Sequence, residues 1–287
     1  MLTAEELHQI QRLAVQAGRR VDSLFAGGYR SAFKGRGMEF EEVRPYVEGD
    51  DVRHIDWNVM ARTDEPHVKV FREERELTVM LAIDVSGSMN FGSGGRDGFT
   101  NKKKQQARVA GALAYAAIRN NDRVGLLCFS DQVELFVPPR KNRGHAWRII
   151  REVFAPSAQR KSTDVALALE ELSRSLKRRA VVCVVSDFLG DNPYRALSVL
   201  SARHQTHCFV MTDPLETSSG DVGLIELEDA ETGSRLLMDS RHWTPGEWQR
   251  RRETELRRSG ALVTSISTEA DPFLGLMRHF RTAERRR

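Results

Sequence analysis

The sequence predicts an α/β protein: a doubly wound, mostly parallel sheet, preceded by an N-terminal helix and a β-rich or irregular subdomain. Three observations predict it. Mostly apolar runs of strand length recur at residues 77–83, 123–129, 180–185 and 207–211, the third of them fully apolar. Amphipathic stretches with helical spacing separate them. Strands without polar alternation need cover on both faces, which interleaved helices supply.

Taken in order, Thr3 and Glu6 form a capping box, and Leu7, Ile10, Leu13 and Ala14 share one face, giving a helix to about Gly18. From residue 27 to 76 glycines, aromatics and charges alternate, with a short strand signal at Val68-Lys69-Val70-Phe71. Residues 1–76 are therefore read as one region and 77–287 as the α/β domain. In the latter, 77–83 is a strand and 105–118 an alanine-rich helix with Val109, Ala112, Leu113 and Ala116 inward. Residues 123–129 and 133–137 are strands joined by a short Ser-Asp-Gln turn, hence antiparallel. Helices follow at 145–154 and at 165–176, the second capped from the loop 161–164. Strand 180–185, helix 193–203 and strand 207–211 come next. A hairpin at 224–239 turns at Glu231-Thr232-Gly233. Helix 245–259, strand 261–266 and helix 272–281 end the pattern.

Composition narrows the class. A chain of 287 residues is long enough for one large domain or one domain with an appendage. Net charge is only +4. The basic clusters Lys102-Lys103-Lys104, Lys177-Arg178-Arg179 and Arg250-Arg251-Arg252 fall at helix ends or faces and are read as solvated. Without aromatic interleaving or a reader motif they do not indicate nucleic-acid binding. Cys128, Cys183 and Cys208 each lie in an apolar run, with no CxxC or Cys-His ligand spacing, and read as small buried hydrophobes of a reducing compartment. No apolar run approaches membrane length, so a cytoplasmic chain with no membrane segment is expected.

The chemistry sits at strand ends. The run 77–83 delivers Asp84-Val-Ser86-Gly-Ser88, Thr163 precedes a helix, and Asp187 directly follows the apolar strand 180–185. In a doubly wound sheet these loops meet at one edge, where ligands bind. Two carboxylates and three hydroxyls are hard donors that suit Mg²⁺ or Mn²⁺ rather than zinc or copper. An ion with an open position would attract an exogenous carboxylate, a docking device, or a phosphate, a catalytic one.

This constellation resembles the metal-ion-dependent adhesion site of von Willebrand factor type A domains, DxSxS…T…D, through Asp84, Ser86, Ser88, Thr163 and Asp187. The resemblance implies a von Willebrand factor A/Rossmann-like sheet. It also implies hydroxyls on the metal, aspartates acting largely through water, and a partner's acidic side chain completing the coordination. A second stretch, Gly35-Arg36-Gly37-Met38-Glu39-Phe40 through Val43-Arg44-Pro45-Tyr46, Gly49-Asp50-Asp51-Val52-Arg53, Ile55-Asp56-Trp57 and Ala61-Arg62, resembles the family called domain of unknown function 58. That resemblance implies a chaperone-like role with a MoxR-type AAA+ ATPase partner in assembling or activating other proteins. Within the stretch, Arg44, Asp50, Asp51, Arg53, Asp56 and Arg62 carry balanced charge apt for an ion-pair network, with Tyr46 and Trp57 anchoring it by packing. Arg44, Asp50, Asp51, Arg53, Asp56, Trp57 and Arg62 are the candidate partner-binding residues, beside a purely structural role for the same segment.

The alternative is an Mg²⁺-dependent hydrolase or phosphotransferase with Asp84 as nucleophile. It needs a general acid and a cationic phosphate clamp. Ser86 stands where such phosphatases place a second aspartate, and no GxxxxGK[ST] loop exists. Gly92-Ser93-Gly94-Gly95 follows the cluster without a lysine at the required step and reads as a rim loop. A non-enzymatic, metal-dependent interaction module is the expectation.

Overall fold

The structure is a computed structural model that describes residues 39–72, 77–92, 101–154, 160, 162–190, 192–217, 223–228, 231, 233–240 and 245–285. The helix expected at 3–18 and most of the glycine run 92–95 lie outside the described residues. The chain divides into two compact units, with the boundary between Leu77 and Thr78.

In the first unit, β1 (Glu39–Pro45) pairs antiparallel with β2 (His67–Arg72), with a register irregularity between Phe40 and Glu42. Between them lie a 3-10 turn at Val52–His54 and helix α1 (Trp57–Thr63). Asp56 caps α1 by accepting from the Asn58 and Val59 N–H groups, and Asp64 ends it at φ 56. Two strands, a 3-10 turn and a short helix thus occupy the region read as β-rich or irregular.

The second unit begins with β3 (Thr78–Asp84), α2 (Lys102–Arg119), β4 (Arg123–Phe129), β5 (Val133–Arg140) and α3 (Arg143–Phe154). It continues through α4 (Val165–Ser175), β6 (Val181–Ser186), α5 (Tyr194–Arg203), β7 (Gln205–Thr212) and α6 (Pro214–Thr217). It ends with β8 (Leu224–Glu228), β9 (Arg235–Asp239), α7 (Pro245–Arg258), β10 (Leu262–Ser267) and α8 (Pro272–Arg285). Six strands form one sheet in the order β10-β7-β6-β3-β4-β5, all parallel except β5. β5 carries Pro138 and Pro139 and lies at an edge, where a missing N–H costs no ladder bond. β8 and β9 form a separate antiparallel hairpin.

Burial explains the strand pattern. All six residues of β6 are buried, as are six of seven in β3 and in β4. On one face Met80, Ala82, Leu127 and Phe129 pack with Val165, Leu169 and Leu172 of α4, Leu197 and Leu200 of α5 and Leu256 of α7. α2 packs against α3, α8 and the sheet, burying the alanines expected from the sequence. The three cysteines are buried, and burial pushes the Cys128 and Cys183 thiols up to about 12. The chain runs from β3 to β4 on one side and returns to β6 on the other, so the topological switch point lies between β3 and β6. Among the described residues no helix is long and apolar enough to cross a membrane.

Candidate functional site

Asp84 is the last residue of β3, the central strand at the switch point, and is wholly buried. Its Oδ1 accepts from the Ser86 N–H at 3.0 Å and its Oδ2 from Ser186 Oγ at 2.6 Å. Burial, then the charge of Asp187, pushes this carboxyl up to about 7, against the pull of those hydrogen bonds. Ser86 caps a 3-10 turn, Gly87–Asn90, that carries Ser88. The turn brings the Ser86 and Ser88 hydroxyls to 3.2 Å.

Thr163 is held from two sides. The next residue, Asp164, donates its N–H to the Ser130 carbonyl at the end of β4, and the Thr163 carbonyl lies against the loop at Gly190 that follows Asp187. The Thr163 hydroxyl and N–H both donate to Glu231, the N–H at 3.1 Å. Asp187 follows β6 directly and is also buried. Its Oδ1 accepts from the Leu189 N–H at 3.1 Å across Phe188, which lies at φ 52 in the left-handed region. Such a conformation in a non-glycine residue costs about 1–2 kcal/mol.

The second Asp187 oxygen is committed. It accepts from Lys102 Nζ at 2.7 Å, and the same ammonium donates to Glu216 of α6 at 2.6 Å. Lys102 is fully buried, which corrects the expectation that Lys102-Lys103-Lys104 is a solvated cluster. Burial works against the ammonium, but Asp187 and Glu216 outweigh it and hold the group above its ordinary value. Arg252, expected in a second solvated cluster, is buried too. It donates to the Asp187 carbonyl and stacks 4.4 Å over Trp248. Gln106 of α2 donates to the Asp84 and Val185 carbonyls, both at 2.9 Å, and so staples the ends of β3 and β6.

Asp84, Ser86 and Ser88 follow β3 and Asp187 follows β6 at the same sheet edge, while Thr163 lies on the adjoining loop by Ser130 and Gly190 with its hydroxyl on Glu231. The companions that sequence reasoning missed are Lys102, Gln106, Ser186, Glu216, Glu231 and Arg252. Ser186, beside Asp187 in a buried run, was the one companion with a sequence signal. The donor chemistry fits a small hard cation. Two ligand oxygens on neighbouring corners of an Mg²⁺ octahedron are about 2.9 Å apart for bonds of about 2.0–2.1 Å. The Ser86 and Ser88 oxygens are near that spacing. Asp84 and Asp187 have their oxygens engaged by neighbouring groups, which suits carboxylates acting through water rather than by direct ligation. Among the described residues no group of three His, Cys, Asp or Glu side chains forms a metal cluster of another kind.

Among the described residues, the seven charged and aromatic residues singled out in the first unit do not form one network. Arg44 grips Asp50 with two hydrogen bonds, at 2.7 and 2.8 Å, which hold Asp50 below its ordinary value. Arg53 pairs with Asp51 and lowers it to about 2. Asp56 caps α1 and pairs with Lys69 at 3.4 Å. Burial alone would raise Asp56, but the Asn58 and Val59 N–H groups and Lys69 prevail and lower it. Arg44, Asp50 and Asp51 line one cleft of about 210 Å³ with His54, Val68 and Lys69. Arg62 bonds the Asn58 carbonyl within α1. Trp57 stands 67% exposed, so it is a surface residue rather than the expected packing anchor.

The six-stranded, mostly parallel sheet with helices on both faces is a von Willebrand factor A-like α/β fold. Residues 42–255 match the family described as Protein of unknown function DUF58, and the chain belongs to that family. It is 33% identical over 229 residues to uncharacterized proteins of Mycobacterium bovis and Mycobacterium tuberculosis, covering 78% of this chain and 70% of each relative. The fold is similar to that of the conserved hypothetical protein BatB from Bacteroides thetaiotaomicron. There the TM-score is 0.50 at 13% identity, over 73% of this chain and 99% of that one. A von Willebrand factor type A protein from Catenulispora acidiphila aligns at TM-score 0.43 and 13% identity, over 76% of this chain and 43% of that one.

Proposed function

We propose that this chain is a non-enzymatic, metal-dependent protein-interaction module. In this reading the Ser86, Ser88 and Thr163 hydroxyls hold Mg²⁺ or Mn²⁺, Asp84 and Asp187 balance its charge, and a partner's carboxylate docks on it. The observation that carries the reading is the pair of Ser86 and Ser88 hydroxyls, 3.2 Å apart, beside the buried Asp84 at the switch point, with Asp187 at the end of the neighbouring strand. The family model that matches is one of unknown function. A MoxR-type AAA+ ATPase as the partner, and a cytoplasmic, chaperone-like task in assembling or activating other proteins, extend the proposal from the resemblance carried by residues 35–62. The partner-facing role of Arg44, Asp50, Asp51 and their neighbours belongs to the same proposal.

The competing reading, a hydrolase using Asp84, gains one observation that the sequence did not offer: two cations lie beside Asp187. Both are already engaged, Lys102 by two carboxylates and Arg252 by a carbonyl. Asp84 points its oxygens at Ser86 and Ser186, a poor disposition for a nucleophile. These features favour docking over turnover.

Calorimetric titration of Mg²⁺ into the wild type and Asp84→Ala tests the site, and a pull-down with the cognate ATPase tests the partner. Binding lost in the variant, beside a silent phosphatase and nuclease screen, is the expected result. Turnover that needs metal and disappears in Asp84→Ala would replace this reading with the hydrolase.

A further inference from the structure

Among the described residues, four carboxylates belong to the candidate site or bond to Thr163 or Lys102 beside it, and they are not equivalent. Asp84 accepts from Ser86 and Ser186, and Asp187 from Lys102 and Leu189. Glu216 accepts from Lys102 and from the Asp213 N–H. Each of these is bound to groups at the sheet edge. The fourth, Glu231, comes from the turn between β8 and β9 and is half-buried. Its two oxygens accept from the hydroxyl and the N–H of Thr163.

Thr163 is one of the three hydroxyl donors of the site. The Glu231 oxygen bonded to Thr163 Oγ1 is therefore in direct contact with one of the proposed metal ligands. A small shift would carry it from the Thr163 proton to a cation held by Thr163. The hairpin that delivers it exposes Leu224, Leu236 and Leu237, an apolar surface that a partner could grip during the exchange.

We propose that Glu231 is this chain's own acidic ligand for the candidate metal position, occupying the place that a partner's carboxylate takes and leaving when the partner docks. The inference rests on the docking reading above. A tethered carboxylate competes at high effective concentration, so it lowers the apparent affinity of any soluble one. The free protein is thereby kept from capturing stray acidic groups. Displacement then requires a partner that also engages the neighbouring surface.

The test uses Mn²⁺ as the metal and acetate as the carboxylate, with the full chain. Water-proton relaxation of bound Mn²⁺ reports how many exchangeable waters the ion keeps. Glu231→Gln is expected to bind Mn²⁺ about tenfold more weakly. It should also show higher relaxivity from an added water, which acetate then reduces at lower concentration than in the wild type. Glu231→Ala, read the same way, keeps the outcome independent of one substitution. If both variants match the wild type in affinity, relaxivity and acetate response, while Asp84→Ala binds no Mn²⁺, this inference is overturned and the docking reading stands. If the wild type takes up no Mn²⁺, both fall.

Discussion

Lys102 Nζ lies 2.7 Å from the Asp187 carboxylate with both side chains out of solvent, and it reaches Glu216 at 2.6 Å. The lysine opens α2, where the helix dipole disfavours a cation. Two carboxylates offset both that and the loss of hydration. Removing the cation leaves Asp187 buried with an uncompensated charge. Lys102→Met should therefore destabilise the fold by about 3–5 kcal/mol, read from urea midpoints. Adding Glu216→Gln should recover part of that loss. Mg²⁺ should raise the melting temperature of Lys102→Met more than that of the wild type, because the ion then replaces the missing charge. Equal shifts in the two would show that Asp187 does not face the metal.

The site residues divide into those that report on binding alone and those that also hold the fold. Ser86→Ala and Ser88→Ala remove two hydroxyls that lie against each other, and should weaken Mg²⁺ binding with a melting temperature near that of the wild type. Asp187→Ala strips Lys102 of a partner, so it should lose stability by about 3 kcal/mol as well as metal. Calorimetry paired with thermal melts separates the two classes. Capture of the ATPase that is unchanged in Ser86→Ala and Ser88→Ala would move the docking surface elsewhere, with the cleft lined by Arg44 and Asp50 the next place to look.

Much of this was legible in the chain because β3, β4 and β6 are buried on both faces, and an unbroken apolar run is the direct signature of that burial. Asp84 and Asp187 were legible for the complementary reason: each is a charge at the end of such a run. Lys102 was not. It heads a run of three lysines, and its burial depends on carboxylates 85 and 114 residues further along the chain. Glu216 sits on a helix of four residues, too short to show a period. Glu231 read only as a turn residue, since its contact with Thr163 spans 68 residues. Trp57 was misplaced because a tryptophan among charges looks like an anchor, whereas here it starts an exposed helix.

Gly125 in β4 marks a close approach that no local pattern displays. A Cβ there would stand 2.6 Å from Met80 Sδ and 3.0 Å from both the Pro139 nitrogen and the Val137 carbonyl oxygen. The methionine can yield, but the backbone of β5 cannot without disturbing a ladder that already shifts register between Val124 and Leu126. Gly125→Ala should cost about 1–3 kcal/mol despite the smaller entropy loss of alanine on folding. Urea denaturation checks it. A neutral or stabilising result would mean that β5 is free to move outward.

His279 is buried in α8, with Nε2 2.7 Å from His207 Nδ1 and Nδ1 2.8 Å from Thr264 Oγ1. Burial, then the neighbouring His207, holds its basicity well below the ordinary value of 6.5. His204, which accepts from the Ala180 N–H, is lowered by burial and by Arg203 and Arg179. A base with a depressed folded pKa binds fewer protons folded than unfolded over the interval between the two values. Stability is thus fully present above the unfolded value near 6.5 and declines as pH falls below it. The His279 share of the loss should grow as pH falls from 6.5 towards 5. Urea midpoints at pH 5, 6, 7 and 8 should show that decline, and His279→Gln should flatten it even if it lowers stability throughout. A slope between pH 7 and 5 as steep in His279→Gln as in the wild type would place the titration elsewhere.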